Sequence, residues 1–420
     1  MITLDRDIIG LFGKMNSGKS SLMNLLSQQE TSIVDATPGT TTDTKITLSE
    51  IHGLGPVKFI DTAGFNEAHD LGAKKREKSL AALKECDLIL LVIDPSTSDY
   101  ETERNIITEA QKFEKQLILI YNLFCEHDRS QLAKVEDLLG PLSNYHFVVL
   151  NALDVNDRQK LLDTILTNYV PRNFSFDLLP FIEPHEFYIL NIPMDDETPF
   201  GRLLRPQAMA EAYIIRKWAF PVAYRMNLAK ARAGDPEEQK RWLDFIASFK
   251  KRPLGIITDS QAIDILKSWA PVDMKLTTFS VMMINYMSRG RLMEFVNGIK
   301  VLNKLRSGDR ILIAEACNHS RIVEDIGTVQ IPQILKKRYP EIIVEHSFGR
   351  EFMGDLMLKK YKLIIHCGGC MISNQRMTVR LYEIAKLNVP ITNYGIFLSF
   401  MQGEHTLDRV VAPWLDSTSN

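Results

Sequence analysis

Apolar residues along this chain fall in short unbroken runs separated by longer stretches of mixed polarity. Ile8 to Phe12, Val57 to Ile60, Leu88 to Ile93, Leu117 to Tyr121 and His146 to Leu150 are runs of four to six residues. Runs of that length predict strands buried on both faces. Most are separated by helix-length segments, with Lys19 to Gln28 and Arg158 to Tyr169 reading as helices. The alternation predicts a mostly parallel sheet covered by helices. Pro171-Arg172-Asn173 interrupts it and marks a domain boundary. A smaller segment follows, with strands at Phe187–Ile192 and Leu254–Ile257 and a helix at Gln207–Trp218. The charged stretch Lys230 to Lys251 reads as a solvated helix face. From about Pro271 the alternation resumes, with strands at Leu276–Phe279, Arg310–Ala314, Ile342–Glu345, Lys362–Ile365 and Pro390–Thr392. No internal repeat is visible, and the tail after Leu415 reads as frayed. The expectation is three α/β domains, over 1–172, 173–270 and 271–420.

Composition narrows the class. The chain has 420 residues, 45% hydrophobic and 24% charged, as a soluble globular protein does. Its net charge of −2 gives no bulk attraction to nucleic acid, so no nucleic-acid partner is expected. No apolar run is long enough to span a bilayer, and the first residues carry acids rather than a signal sequence, so a cytoplasmic location without a membrane is expected. The five cysteines are an odd number in a large chain, which argues against a disulfide framework. Three of them, Cys317, Cys367 and Cys370, lie in the last quarter and point to metal or redox chemistry there.

Gly13-Lys14-Met15-Asn16-Ser17-Gly18-Lys19-Ser20 fits G-x4-G-K-S between a strand and a helix. Gly13 and Gly18 let backbone N–H groups of the loop, Ser17 included, curl around phosphate oxygens, and the helix N-terminus through Ser21 adds its positive end. Lys19 supplies charge to the β- and γ-phosphates, and Ser20 a hydroxyl for Mg²⁺. Asp61-Thr62-Ala63-Gly64 follows a strand; Asp61 can reach Mg²⁺ through water and the Gly64 N–H can sense the γ-phosphate. Thr37-Pro38-Gly39-Thr40-Thr41-Thr42-Asp43 lies between, as a switch segment would.

These motifs resemble the TrmE–Era branch of translation-factor-like GTPases. The resemblance implies a P-loop GTPase domain, Thr41 on Mg²⁺, Asn16 on a K⁺ that stands in for an arginine finger, and slow K⁺-stimulated GTP hydrolysis. Phe65 stands where many GTPases carry a water-positioning Gln. The guanine motif departs from N-K-x-D: Asn122 is kept, but Leu123 and Cys125 replace the Lys and the Asp. Without that bidentate acceptor, guanine selection should weaken. Glu126 or Asp128 could substitute after a shift in register. The later S-A-x loop is altered as well, to Asn151-Ala152-Leu153.

Cys317-Asn318-His319 and His366-Cys367-Gly368-Gly369-Cys370 each follow an apolar run. If both runs are parallel strands, the two groups leave the same edge of a sheet, where open α/β sheets build their sites. Three thiols and two imidazoles would suit zinc in a closed tetrahedral site, or a 4Fe–4S cluster with one iron left to a weaker ligand. The residues alone leave that choice open.

The order of a TrmE–Era-like GTPase, then C-x-H, a long spacer and H-C-x-x-C, resembles hydrogenase maturation GTPases of the HydF type. Ile257 to Ala262, Ile313 to Cys317, Ile365 to Met371 and Thr392 to Gly395 carry further likeness. The resemblance implies a 4Fe–4S cluster on Cys317, Cys367 and Cys370, with His319 and His366 at the fourth site or beside it. It implies a scaffold that carries a dinuclear iron precursor bearing CO and CN⁻ to apo-FeFe-hydrogenase. The radical-SAM maturases HydE and HydG would be partners, and the middle segment a dimerisation domain giving a homodimer. The alternative is a TrmE–Era-like GTPase acting on RNA or ribosomes, with a structural zinc site.

Overall fold

The computed structural model describes residues 6–27, 45–62, 70–139, 145–170, 177–193, 203–315, 325–349, 355–369 and 372–415. The chain divides into two compact units between Asn173 and Phe174. Among the described residues, no helix is long and apolar enough to cross a membrane.

In the first unit, strands β1 (Asp7–Phe12), β2 (Lys45–Ile51), β3 (Gly55–Asp61), β4 (Leu88–Ile93), β5 (Gln116–Asn122) and β6 (His146–Leu150) form one sheet in the order β2-β3-β1-β4-β5-β6. Only β2 is antiparallel. Helices α1 (Lys19–Ser27), α2 (Asp70–Glu85), α3 (Glu101–Lys112) and α4 (Leu132–Leu139) lie between these strands in the chain, and α5 (Asp157–Asn168) follows β6. Every residue of β4 is buried, as its continuous apolar run predicts. Sheet order reverses at β1, between β3 and β4, so the loop after β1 leaves the carboxyl edge at the switch point, where ligands bind.

The second unit holds two four-stranded sheets. Strands β7 (Phe187–Asn191), β8 (Phe220–Tyr224), β9 (Gly255–Thr258) and β10 (Lys275–Thr278) are ordered β10-β9-β7-β8. Strands β11 (Arg310–Glu315), β12 (Ile343–Phe348), β13 (Leu363–His366) and β14 (Ile391–Asn393) are ordered β12-β11-β13-β14. All pairings in both sheets are parallel. The helices are α6 (Arg205–Arg216), α7 (Leu228–Arg232), α8 (Pro236–Ala247), α9 (Ile263–Trp269), α10 (Phe279–Met287) and α11 (Leu292–Ile299), then α12 (Ile331–Arg338), α13 (Asp355–Leu358), α14 (Asn374–Lys386), α15 (Tyr394–Met401) and α16 (Glu404–Leu415). The strand expected to open the last segment, at Leu276, instead pairs with β9, so the first of these sheets runs past position 270. The charged stretch is α7 and α8. It is not wholly a solvated face, because Trp242 is fully buried against Tyr224 and Phe245.

The two sheets have the same connectivity, which corrects the expectation of no internal repeat. Counted in chain order, the strands of each sheet run second, first, third, fourth. Registers match as well: Thr258 pairs with Asn191 and Thr278 in one sheet, as His366 pairs with Ala314 and Asn393 in the other. Thr278 and Asn393 then cap equivalent helices, accepting from the Val281 and Ile396 N–H groups at 3.1 Å each. Leu276-Thr277-Thr278-Phe279 thus aligns with Ile391-Thr392-Asn393-Tyr394. The halves exchange their last helices. Helix α11 of the first half packs on edge strand β14 of the second, and α16 of the second packs on edge strand β10 of the first. The Trp414 indole N–H donates to Thr277 Oγ1 at 3.1 Å, and a Cβ at Gly298 would overlap the Ile391 carbonyl oxygen.

Candidate functional site

The loop after β1 turns through Gly13, Asn16 and Gly18 at φ 144°, 65° and 97°. Glycine meets no Cβ penalty there, and Asn is among the residues that best tolerate it. A Cβ at Gly13 would overlap the Val92 carbonyl oxygen, and one at Gly18 the Asn122 amide. Glycine therefore lets the loop lie flat on β4 and β5. Lys19, the first residue of α1, is buried and donates to the Gly13 and Lys14 carbonyl oxygens at 3.1 and 2.7 Å. Burial lowers its pKa, and the charges of Asp61 and Glu103 oppose that shift. Ser20 Oγ donates to Asp61 Oδ2 at 2.9 Å, which brings two of the expected Mg²⁺-site residues together. Asn16 and Ser20 are exposed, Ser21 is half-buried and Ser17 is buried. Thr41 and Gly64 lie outside the described residues.

Asn122, at the end of β5, bridges two loops. Its Nδ2 donates to Ser17 O and its Oδ1 accepts from Ala152 N, both at 2.9 Å. Asp128 does not stand in for the missing guanine-binding carboxylate. It is buried, and its oxygens accept from Phe124 N, Cys125 N and Cys125 Sγ at 2.9, 3.0 and 3.3 Å. Its carboxylate is spent on its own turn. The side chain of Glu126 lies outside the description.

In the second unit, β11 and β13 are neighbours at the sheet's switch point. The stretch leading to Cys317 leaves β11 after Glu315, and Cys367 follows β13 directly, so both leave one carboxyl edge. Cys367 is buried, and its N–H donates to Ala314 O at 3.0 Å. Cys317, His319 and Cys370 lie outside the described residues, and among those described no three potential metal ligands cluster. Helix α14 starts just past the loop, and α15 starts beside β13, where the Tyr394 hydroxyl donates to Glu315 at 3.0 Å. Burial, then the nearby Cys367 and Glu315, push the Tyr394 phenol up. On a third side, a Cβ on Gly368 would sit 3.9 Å from Ser280 Oγ in α10, a helix of the other half. The positive ends of helices favour thiolates.

His366 is fully buried, and both its ring nitrogens are engaged. Nε2 lies 2.9 Å from Arg380 Nη1, and Nδ1 lies 2.6 Å from Cys367 O. A guanidinium only donates, so Nε2 accepts and the proton on Nδ1 donates to the Cys367 carbonyl. Arg380 Nη2 also donates to Gly349 O at 2.8 Å.

Arg380 and Glu103 escaped the sequence reading, although a signal was present. Glu103 shares the buried stripe of α3 with Ile106, Ile107 and Ala110, and Arg380 shares that of α14 with Met377, Leu381 and Ile384. A charge on an apolar helical stripe calls for a buried partner.

Comparison with known proteins covers most of the chain. Residues 8–123 match the 50S ribosome-binding GTPase family, 178–288 the hydrogen maturase F dimerization domain, and 293–413 the hydrogen maturase F tetramerization domain. The tRNA modification GTPase MnmE of Lachnoclostridium phytofermentans is 35% identical over 185 residues, 43% of this chain and 37% of that protein. GTPase Der of Nitratiruptor sp. is 37% identical over 114 residues, 27% of this chain and 24% of that protein. The chain thus spans well under half the length of these relatives. The crystal structure of Aquifex aeolicus Era bound to GDP·AlF4⁻ is 19% identical, with a TM-score of 0.34, covering 56% of this chain and 98% of that one.

Proposed function

Because the chain belongs to the hydrogen maturase F (HydF) family, a GTPase domain followed by that family's dimerization and tetramerization domains, we propose that it is a GTP-hydrolysing scaffold and carrier in FeFe-hydrogenase maturation. The observation that carries this is the joint presence of a formed phosphate-binding loop and a thiol-bearing switch point in one chain.

At the first site, loop N–H groups and Lys19 hold the phosphates, while Ser20, Thr41 and Asp61 serve Mg²⁺. Asn16 serves K⁺, and the Gly64 N–H reads the γ-phosphate. Turnover then gates partner exchange and does no chemistry at iron.

At the second site, Cys317, Cys367 and Cys370 would hold a 4Fe–4S cluster. The residues present fit such a group, since the donor set is three thiols and the buried Cys367 sits beside the start of α15. When bound, the cluster supplies an iron position at which cargo can be anchored. His366, with both nitrogens committed, acts beside the cluster by fixing the Cys367 carbonyl, which leaves His319 as the candidate at the fourth site. The cargo is a dinuclear iron precursor with CO and CN⁻ ligands, built by HydE and HydG and delivered to apo-FeFe-hydrogenase. A homodimer is supported by edge strand β8, beside which Trp218, Ile215 and Phe220 are 76%, 57% and 46% exposed.

The test is iron, sulfide and zinc content of anaerobically purified protein, with EPR after reduction. About four irons and four sulfides per chain are expected, lost in Cys367→Ala. Lys19→Ala should keep its iron and fail to mature hydrogenase. Zinc without sulfide, together with co-purified RNA, would instead favour an RNA- or ribosome-directed GTPase. Lys19→Ala that matures hydrogenase as wild type does would remove the gating role.

A further inference from the structure

We propose that Glu103 is a positioning residue of the nucleotide site, which fixes the phosphate-binding loop, and through it Lys19, by holding the Lys14 peptide. The proposal rests on the GTP-hydrolysing reading of that site.

The loop is held at two points. At its far end Asn122 binds Ser17 O, as described above. At its near end α3 does the holding. Glu103 Oε1 accepts from the Lys14 N–H at 3.2 Å, and the Lys14 ammonium pairs with Asp99 Oδ2 at 3.0 Å. The other side of the same residue, the Lys14 carbonyl, accepts from Lys19 Nζ at 2.7 Å. Glu103, the Lys14 backbone and the phosphate-binding ammonium therefore form one chain of hydrogen bonds. Movement of Glu103 would move the carbonyl that aims Lys19.

A stability role does not account for this glutamate. Glu103 is buried, and its Oε2 has no hydrogen-bond partner. Burying a carboxylate with one oxygen unpaired costs stability, and an apolar side chain of similar size is often neutral or better. Burial also pushes the Glu103 carboxyl up, as expected of an under-compensated group. The neighbouring positions of the stripe, Ile106 and Ile107, show that the core accepts aliphatic residues there. What the carboxylate adds is an acceptor for the Gly13–Lys14 peptide, whose own carbonyl receives Lys19 at 3.1 Å and whose neighbour, the Lys14 carbonyl, receives it at 2.7 Å.

The experiment is GDP titration by calorimetry on the full chain, with thermal melts of each variant. Glu103→Leu should melt at or above the wild-type temperature and bind GDP about tenfold more weakly, the loss of one charge-assisted hydrogen bond. Glu103→Gln keeps an acceptor for the Lys14 N–H and should stay within about threefold of wild type. Wild-type affinity in Glu103→Leu would overturn the proposal. So would a lowered melting temperature in that variant, which would make the residue structural, and so would equal losses in both variants. Lys19→Ala in parallel separates the two levels. If it binds GDP as wild type does, the GTPase reading fails; if it loses GDP while Glu103→Leu does not, only the role of Glu103 fails.

Discussion

The two halves of the second unit share one strand order and register yet differ in what stands at the switch point. In the first half the row across the carboxyl edge is Asn191, Thr258 and Thr278, followed by Asp259. In the second it is Ala314, His366 and Asn393, followed by Cys367. Side chains in both rows are buried. In the first, Asn191 Nδ2 donates to Thr258 Oγ1 at 3.0 Å, a hydrogen bond between the two neighbouring strands. In the second, the imidazole is tied to Arg380 and to the Cys367 carbonyl, which holds a thiol at the edge. The comparison teaches that the fold supplies the location and a few residues supply the chemistry. It also shows dependence, because Asn393 Nδ2 and the Gly395 N–H of the second half donate to Ser280 Oγ, in the half that has no thiols, at 2.9 and 3.2 Å.

The largest way to break this comparison is to separate the halves. A fragment of residues 300–420 leaves β14 without α11, α16 without β10, and Gly368 without α10. It should show no cooperative thermal transition by circular dichroism; a sharp transition like that of the full chain would make the halves autonomous. Next in size is Gly298→Val. Its side chain must enter the Ile391 backbone, so the variant should lose about 3 kcal/mol or more in denaturant unfolding of the second unit. A loss under about 1 kcal/mol would mean that α11 does not need its close seat on β14. The finest test is a matched pair of caps. Thr278→Ala should cost about 1 kcal/mol. Asn393→Ala should cost somewhat more, because Asn393 Nδ2 also donates to Ser280 Oγ at 2.9 Å. Equal costs would show that this cross-half hydrogen bond contributes little.

Legibility in the sequence followed burial. Strands such as β4 and β5 were readable because they are continuous apolar runs inside a parallel sheet. Edge strands β2 and β8 were not, since Lys45 to Ile51 and Phe220 to Tyr224 mix polar, small or proline residues into a half-exposed pattern. The phosphate-binding loop was legible because its glycines and Lys19 answer a local geometric demand within eight residues. Glu103 and Arg380 were not, because their partners lie 89 and 14 residues away and only packing joins them. The repeat was hidden for the same reason. Its halves share Thr277 and Thr392 in aligned strands, and strand order with register reveals the match.

By itself, then, the sequence determined where the P-loop and the Cys–His pattern lie, because both are short-range patterns on neighbouring residues. Tertiary structure alone decided which side chains remain available there. It committed both nitrogens of His366 and turned Asp128 into its own loop. It also set Glu103 under the Lys14 peptide and joined the two halves by exchanged helices. A buried polar group must take whatever partner the packing brings within reach, and that partner is a property of the fold rather than of the local residues.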